Sequence, residues 1–166
     1  MIDEFNQHIV EKYPKIFSQN CEISIGDGWF DIIDRACYSI QSRIDHNIKQ
    51  REWAMNWNEE VNNSDSEWDT DTKSFTVREE RKVPELIEQV VATQIKEKFG
   101  GLRFYYSGGD DYMRGVVDMA ENMSYVTCED CGHPGKYRGN KRWFRTLCDR
   151  HAEEQGYIED ENSTGK

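Results

Sequence analysis

The chain has 166 residues and a formal net charge of −11, enough for one domain with a small appendage. Its strongly apolar residues are few: 3 Leu, 13 Ile, 9 Val and 7 Phe make about 19% of the chain, near the level at which high net charge leaves a chain disordered. Twenty aromatic residues argue for a folded chain with a modest core, and a basic tip at 128–151 on an acidic body disfavours general nucleic-acid coating but permits local contact with an anionic partner.

The opening stretch MIDEFNQHIVEKYPKIF has no basic run followed by an apolar one, so no signal peptide is expected. No apolar run approaches membrane-spanning length. Five cysteines, three of them at metal-ligand spacing, point to a reducing compartment, and the expected location is the cytoplasm.

Residues 2–17 read as a short helix ending near Pro14. The loop SIGDGWF follows, with Asp27 placed to cap the next helix. Ile33, Cys37, Ile40, Ile44 and Ile48 then recur at three- and four-residue steps, the apolar face of a long helix, while Asp34, Arg35, Arg43, Asp45 and Lys49 fall largely on the other face. Residues 59–80 hold eight acidic and two basic residues without periodicity and read as a mobile acidic loop. A helical turn is expected after Pro84. Two strands follow, roughly 90–99 and 102–107, with a hairpin turn at Gly100 and Gly101. Asp110 or Asp111 caps a further helix whose apolar stripe is Met113, Val116, Val117, Ala120 and Met123.

Cys128 and Cys131 form a C-x2-C pair; after sixteen intervening residues Cys148 and His151 form C-x2-H. Zinc favours tetrahedral sulfur and nitrogen donors, and both pairs have a suitable bite. Between them KYRGNKRWFRT can form a hairpin turning at Gly139 and Asn140, and LCDRHAEEQ can begin a helix. A knuckle, a hairpin and a second pair in the first turn of a helix describe a treble clef with a structural zinc. Reduced or disulfide-bonded cysteines are the plain alternative. Cys21 and Cys37 lack partners at useful spacing and read as buried small residues.

The fold class expected is therefore α+β: a long amphipathic helix and β-hairpin body with a C-terminal treble-clef zinc module. The expected domains are a body over 1–126 with the acidic loop at about 59–80, the module over 127–156, and a flexible tail over 157–166.

Three stretches carry a resemblance to a known family: GDGWFDIID at 26–34, QIKEKFGGLRFYYSGG at 94–109, and TCEDCGHPG…WFRTLCDRHA at 127–152. In these the chain resembles uncharacterised small proteins encoded by tailed phages, prophages and their bacterial hosts. The resemblance implies a small α+β body with a zinc-binding C-terminus and no assigned activity. All four presumed ligands match, whereas 50–83 is longer and more acidic than the family leads one to expect.

Four protein donors would close the metal's shell, whereas catalytic zinc keeps a position open. No H-x-E of a zinc deaminase and no H-E-x-x-H of a metalloprotease occurs. The enzyme alternative is a treble-clef nuclease of the His-metal type. It would need a histidine on the hairpin, which has none; His133 lies in the knuckle and reads as a turn residue. His8 and His46 read as surface or partly packed residues. No residue is assigned a catalytic role.

For binding, Lys136, Tyr137, Arg138, Lys141, Arg142, Trp143, Phe144 and Arg145 mix cations with stacking surfaces. Lys96, Lys98, Arg103 and Tyr105 on the first hairpin would extend this into one cationic groove if the hairpins face the same way. Alternatively, Tyr137, Trp143 and Phe144 fill the small core beside the zinc while the cations stay solvated. Two counter-defence readings rival these: the acidic 59–80 segment with Trp57 and Trp68 imitating a nucleic-acid backbone, or a pocket sequestering a nucleotide signal. The expectation is a non-catalytic, zinc-binding, phage-type accessory protein whose partner is a host protein or nucleic acid, with no membrane partner.

Overall fold

The computed structural model of the chain describes residues 2–63, 68–69, 74–75, 78–139 and 143–157. In chain order the elements are α1 (Ile2–Lys12), β1 (Glu22–Ser24), a 3-10 turn (Asp27–Trp29), α2 (Phe30–Asn63), β2 (Trp68–Asp69), β3 (Ser74–Phe75), β4 (Val91–Lys98), β5 (Gly101–Ser107), α3 (Asp111–Ser124), β6 (Lys136–Arg138), β7 (Arg145–Leu147) and α4 (Asp149–Glu154). The class is α+β, with one long helix, small sheets and a C-terminal Cys/His cluster. Among the described residues no helix is long and apolar enough to cross a membrane. The chain forms two units, residues 1–41 with 88–166, and residues 42–87.

The first unit is built on a sheet of order β1-β4-β5. β1 runs parallel to β4, with Ile23 opposite Ile95, and β4 pairs antiparallel with β5, with Ile95 opposite Phe104. Alternation along β5 buries Leu102 and Phe104 and leaves Tyr105 exposed. Their core partners are Ile9, Ile16 and Phe17 from the N-terminal segment, Trp29, Ile33, Cys37 and Ile40 from the start of α2, and Met113, Val117 and Ala120 from α3. The β5 edge is not left bare: Ser124 Oγ accepts from the Leu102 N–H at 2.8 Å and a Glu121 carboxylate oxygen from the Phe104 N–H at 2.9 Å. Asp34, buried in α2, accepts from Lys12 Nζ at 2.6 Å and from the Tyr13 hydroxyl at 2.9 Å.

The β4–β5 turn sits one residue earlier than the glycine pair suggests. Phe99 and Gly100 are its centre, with φ of 54° and 74°, the positive values a two-residue type I′ turn requires. Gly101 already pairs with Lys98. It is glycine for another reason: a Cβ there would lie 2.4 Å from the Tyr125 ring.

In the second unit, the later turns of α2 hold an extended segment by side-chain clamps. Asn47 donates to the Glu85 carbonyl and accepts from the Ile87 N–H. Asn58 donates to the Arg81 carbonyl at 2.8 Å and accepts from its N–H at 2.7 Å. The Arg81 guanidinium lies 3.9 Å from the Trp53 ring centre and 4.6 Å from that of Trp57. The helical turn expected after Pro84 does not form; these side chains satisfy the backbone of an irregular strand instead.

Two further expectations need correction. Residues 59–63, read as the start of an acidic loop, are the last turn of α2, where Glu59 and Glu60 are good helix formers. Of the rest of that segment, β2 and β3 pair antiparallel, and the intervening residues lie outside the described ones. Asp27 does not cap α2 through its side chain; it opens the 3-10 turn that precedes the helix. By contrast Asp110 caps α3 as expected, accepting from the N–H groups of Tyr112 and Met113. The expected tail past Tyr157 lies outside the described residues.

Candidate metal centre and its surroundings

Cys128 and Cys131 flank a tight knuckle closed by two backbone bonds. The Gly132 N–H donates to the Cys128 carbonyl at 2.9 Å, and the Cys128 N–H donates to the His133 carbonyl at 2.7 Å. Gly132 has φ of 73°, the left-handed conformation glycine adopts without penalty. His133 thus serves the knuckle as a turn residue, and its side chain is exposed.

The second pair comes from the end of the other hairpin. β6 and β7 pair antiparallel with Tyr137 opposite Thr146, and β7 delivers Cys148 to the N-cap of α4, with His151 one turn in. Leu147, Ala152 and Cys128 are buried together, with Cys131, Cys148 and Tyr157 packed around them. Knuckle, hairpin and short helix form the treble-clef arrangement read from the spacing.

The four donors converge. His151 Nδ1 lies 3.3 Å from Cys128 Sγ and 3.4 Å from Cys148 Sγ, and the sulfurs of Cys131 and Cys148 are 3.8 Å apart. All four donor atoms fall within 4.8 Å of one another, so the group could hold a metal ion. Burial pushes the Cys128 thiol up to about 11, while the backbone N–H of His151 lowers that of Cys148. A bound cation would draw both toward thiolate. Cys21 and Cys37 stand apart from this cluster; Cys37 is buried as expected, Cys21 is only half-buried, and burial raises both thiols.

The knuckle rests in a cradle that pattern reading did not find. The Gly28 N–H donates to the Glu129 carbonyl at 2.7 Å, and Trp29 Nε1 donates to the Thr127 carbonyl at 2.9 Å. A Cβ on Gly28 would lie 2.1 Å from the Cys128 oxygen, 2.4 Å from the Gly132 nitrogen and 2.6 Å from the Cys131 nitrogen. Gly26 is as tightly placed against Glu129. Two glycines one residue apart before a tryptophan were the available signal, and alone they read as a loop. Thr146 and Glu129 were missed as well. Thr146 Oγ1 donates to the Gly100 carbonyl at 2.6 Å, joining the two hairpins, and Glu129 N–H donates to the Thr146 carbonyl.

The basic residues expected to bind a partner divide sharply. Arg138 is buried and paired with Asp149, and Arg145 lies between Glu129 at 3.0 Å and Asp130 at 2.7 Å. Both guanidiniums brace the module, so the alternative that left the cations solvated fails for these two. Burial raises the Glu129 carboxyl, and Arg145 opposes that rise. Arg103 donates to the Tyr125 hydroxyl at 2.8 Å and faces Glu121. Lys96 lies over the Tyr105 ring and Lys98 over that of Phe99. Lys136 is mostly exposed and lies 3.4 Å from Asp149. Lys141 and Arg142 lie outside the described residues.

The aromatics are more exposed than a core-filling role predicts. Trp143 is 65% exposed, Phe99 61%, Tyr137 48% and Phe144 39%. Tyr137 and Phe144 stack with centroids 5.6 Å apart, and Tyr125 meets Tyr137 edge-on at 6.0 Å. Gly100 places the β4–β5 turn against the Tyr137 ring. Comparison with protein-family models, with curated proteins and with solved structures finds no match to the chain.

Proposed function

We propose that Cys128, Cys131, Cys148 and His151 hold one structural zinc ion, and that the chain is a non-catalytic binding module. The carrying observation is the donor geometry. A tetrahedron with sulfur at about 2.3 Å and nitrogen at about 2.0 Å has S···S edges of about 3.8 Å and S···N edges of about 3.5 Å. Here one S···S edge is 3.8 Å and two S···N edges are 3.3 and 3.4 Å, with all four donors within 4.8 Å of one another. Three sulfurs and one imidazole complete the shell, leaving no position for a water or substrate to be activated. The hairpin sequence contains no histidine for a nuclease of the His-metal type.

Binding then falls to the surface that the metal holds in place. Phe99, Tyr137, Trp143 and Phe144 present stacking and apolar area, and Lys98 and Lys136 supply charge at its border. The resemblance to phage and prophage proteins supports an accessory role toward a host protein or nucleic acid in the host cytoplasm, where the ligand thiols would stay reduced. The test is capture of partners from host lysate, with and without nuclease, by the zinc-loaded chain and by a Trp143→Ser/Phe144→Ser variant. The reading requires the variant to keep its zinc and lose the partner. Undiminished capture by the variant contradicts it.

A further inference from the structure

Helix α3 carries two apolar stripes. One, through Met113, Val117, Ala120 and Ser124, is buried. The other runs through Tyr112, Val116, Met119 and Met123 at steps of four, three and four, the spacing of a helix seam that receives another helix. Yet Tyr112 is 48% exposed, Met119 63% and Met123 46%. Together with Ile32, Ala36 and Ser39 of α2, this stripe lines an apolar groove of about 560 Å³.

Gly115 lies in the same wall, in the second turn of the helix. Glycine is the poorest helix former after proline. A Cβ built at Gly115 meets nothing within 4 Å, so no described neighbour demands its absence. What a bare backbone there provides is close approach from outside. Thioether side chains at Met119 and Met123 can adapt to the surface of an incoming helix.

Charge selects among occupants. The bordering segments, Asp27–Ser39 and Asp110–Ser124, hold seven carboxylates and two arginines; with Lys12 on Asp34 and Arg103 facing Glu121 counted, the net charge is −3, and the lining itself includes Asp31 and Arg35. Both arginines already lie beside carboxylates of their own helix, Arg35 at 3.5 Å from Asp34 and Arg114 at 3.1 Å from Asp111. A second copy of this chain would bring another −11 to the interface, and the repulsion disfavours it. We propose that the α2–α3 groove is the docking site for a cationic amphipathic helix of another protein. This site stands independently of the zinc module and its aromatic surface.

The probe is a labelled Leu/Lys peptide of about five helical turns with a heptad apolar seam. Its controls are a scrambled peptide of the same composition and a Leu/Glu peptide with the same seam. Binding is followed by fluorescence anisotropy on the zinc-loaded full chain, and oligomeric state by sedimentation. The seam peptide should bind more tightly than either control. Gly115→Leu, whose Cβ would meet nothing within 4 Å, and Met119→Lys, which sets a like charge at an exposed position, should each weaken it by about tenfold or more. Helix content and zinc content should be unchanged in both variants. The proposal is overturned if no peptide binds, if a control binds as well as the seam peptide, or if both variants retain full affinity. It is likewise overturned if the chain is a dimer that Gly115→Leu dissociates, since the occupant is then a second copy.

Discussion

Replacing Gly28 with alanine adds one methyl group at the point where the body grips the metal knuckle. That methyl would lie 2.1 Å from the Cys128 carbonyl oxygen and within 2.6 Å of two more backbone atoms. None of these can rotate away as a side chain would, so the knuckle must retreat by more than 1 Å to reach ordinary contact. A retreat of that size breaks the Gly28 N–H bond to the Glu129 carbonyl, now 2.7 Å, and stretches the Trp29 Nε1 bond to the Thr127 carbonyl, now 2.9 Å. Overpacking of this kind costs about 1–3 kcal/mol, and two net hydrogen bonds add about 1 kcal/mol each. The expected loss is therefore roughly 3–5 kcal/mol, a large part of the 5–15 kcal/mol that holds a typical domain. Urea titrations at saturating zinc measure it, and hydrogen exchange locates it at residues 26–29 and 127–135. A Gly28→Ala chain within about 0.5 kcal/mol of the parent would refute the cradle as the device that seats the knuckle.

The other expectations concern separate parts of the fold. Phe99→Asn gives the β4–β5 turn the Asn-Gly pair that a type I′ turn prefers, and should raise stability by about 0.5 kcal/mol after loss of the exposed Lys98 contact; a lower melting temperature would contradict this. Asp34→Asn should cost about 2 kcal/mol at neutral pH, discounted because Lys12 is partly exposed. Burial acts to raise the Asp34 carboxyl, but bonds from Lys12 and Tyr13 overcome it and hold it below the ordinary value. Its stabilisation is therefore present above the unfolded value of about 3.9 and lost as pH falls through the folded one. In urea titrations across that range the gap between parent and Asp34→Asn should close, and a constant gap would remove the charge from the account. Chelation of the metal should release hydrogen-exchange protection across 127–157 before the β4–β5 hairpin, because among the described residues the module's own core has only Leu147, Ala152 and Cys128 as buried apolar residues; simultaneous loss in both would contradict this order.

The Cys/His cluster was legible in the sequence because its geometry is local: each pair spans one turn, and the hairpin between them is short. The β4–β5 strands were legible from alternation. What escaped were partnerships across long separations. Gly28 meets residues a hundred positions away, and nothing near it in sequence distinguishes a cradle from a loop. The ion pairs of Arg138 and Arg145, read as cations open to a partner, escaped because their carboxylates, Asp149, Glu129 and Asp130, become neighbours only when the knuckle and hairpin pack. The end of α2 escaped because Asn58 and Asn62 look like loop formers until residues 80 and 81 are seen bonded to them. On α3 the two stripes differ by one residue, so Val116 and Met123 were read as core although they line a groove.

The central claim is that one zinc ion holds Cys128, Cys131, Cys148 and His151 together. Native mass spectrometry of the purified chain, with metal analysis by plasma emission, tests it most directly. The account predicts one zinc per chain, and a Cys148→Ser chain that retains little of it and is less stable. Full zinc occupancy in Cys148→Ser, or a metal-free chain whose module stays folded, would contradict it.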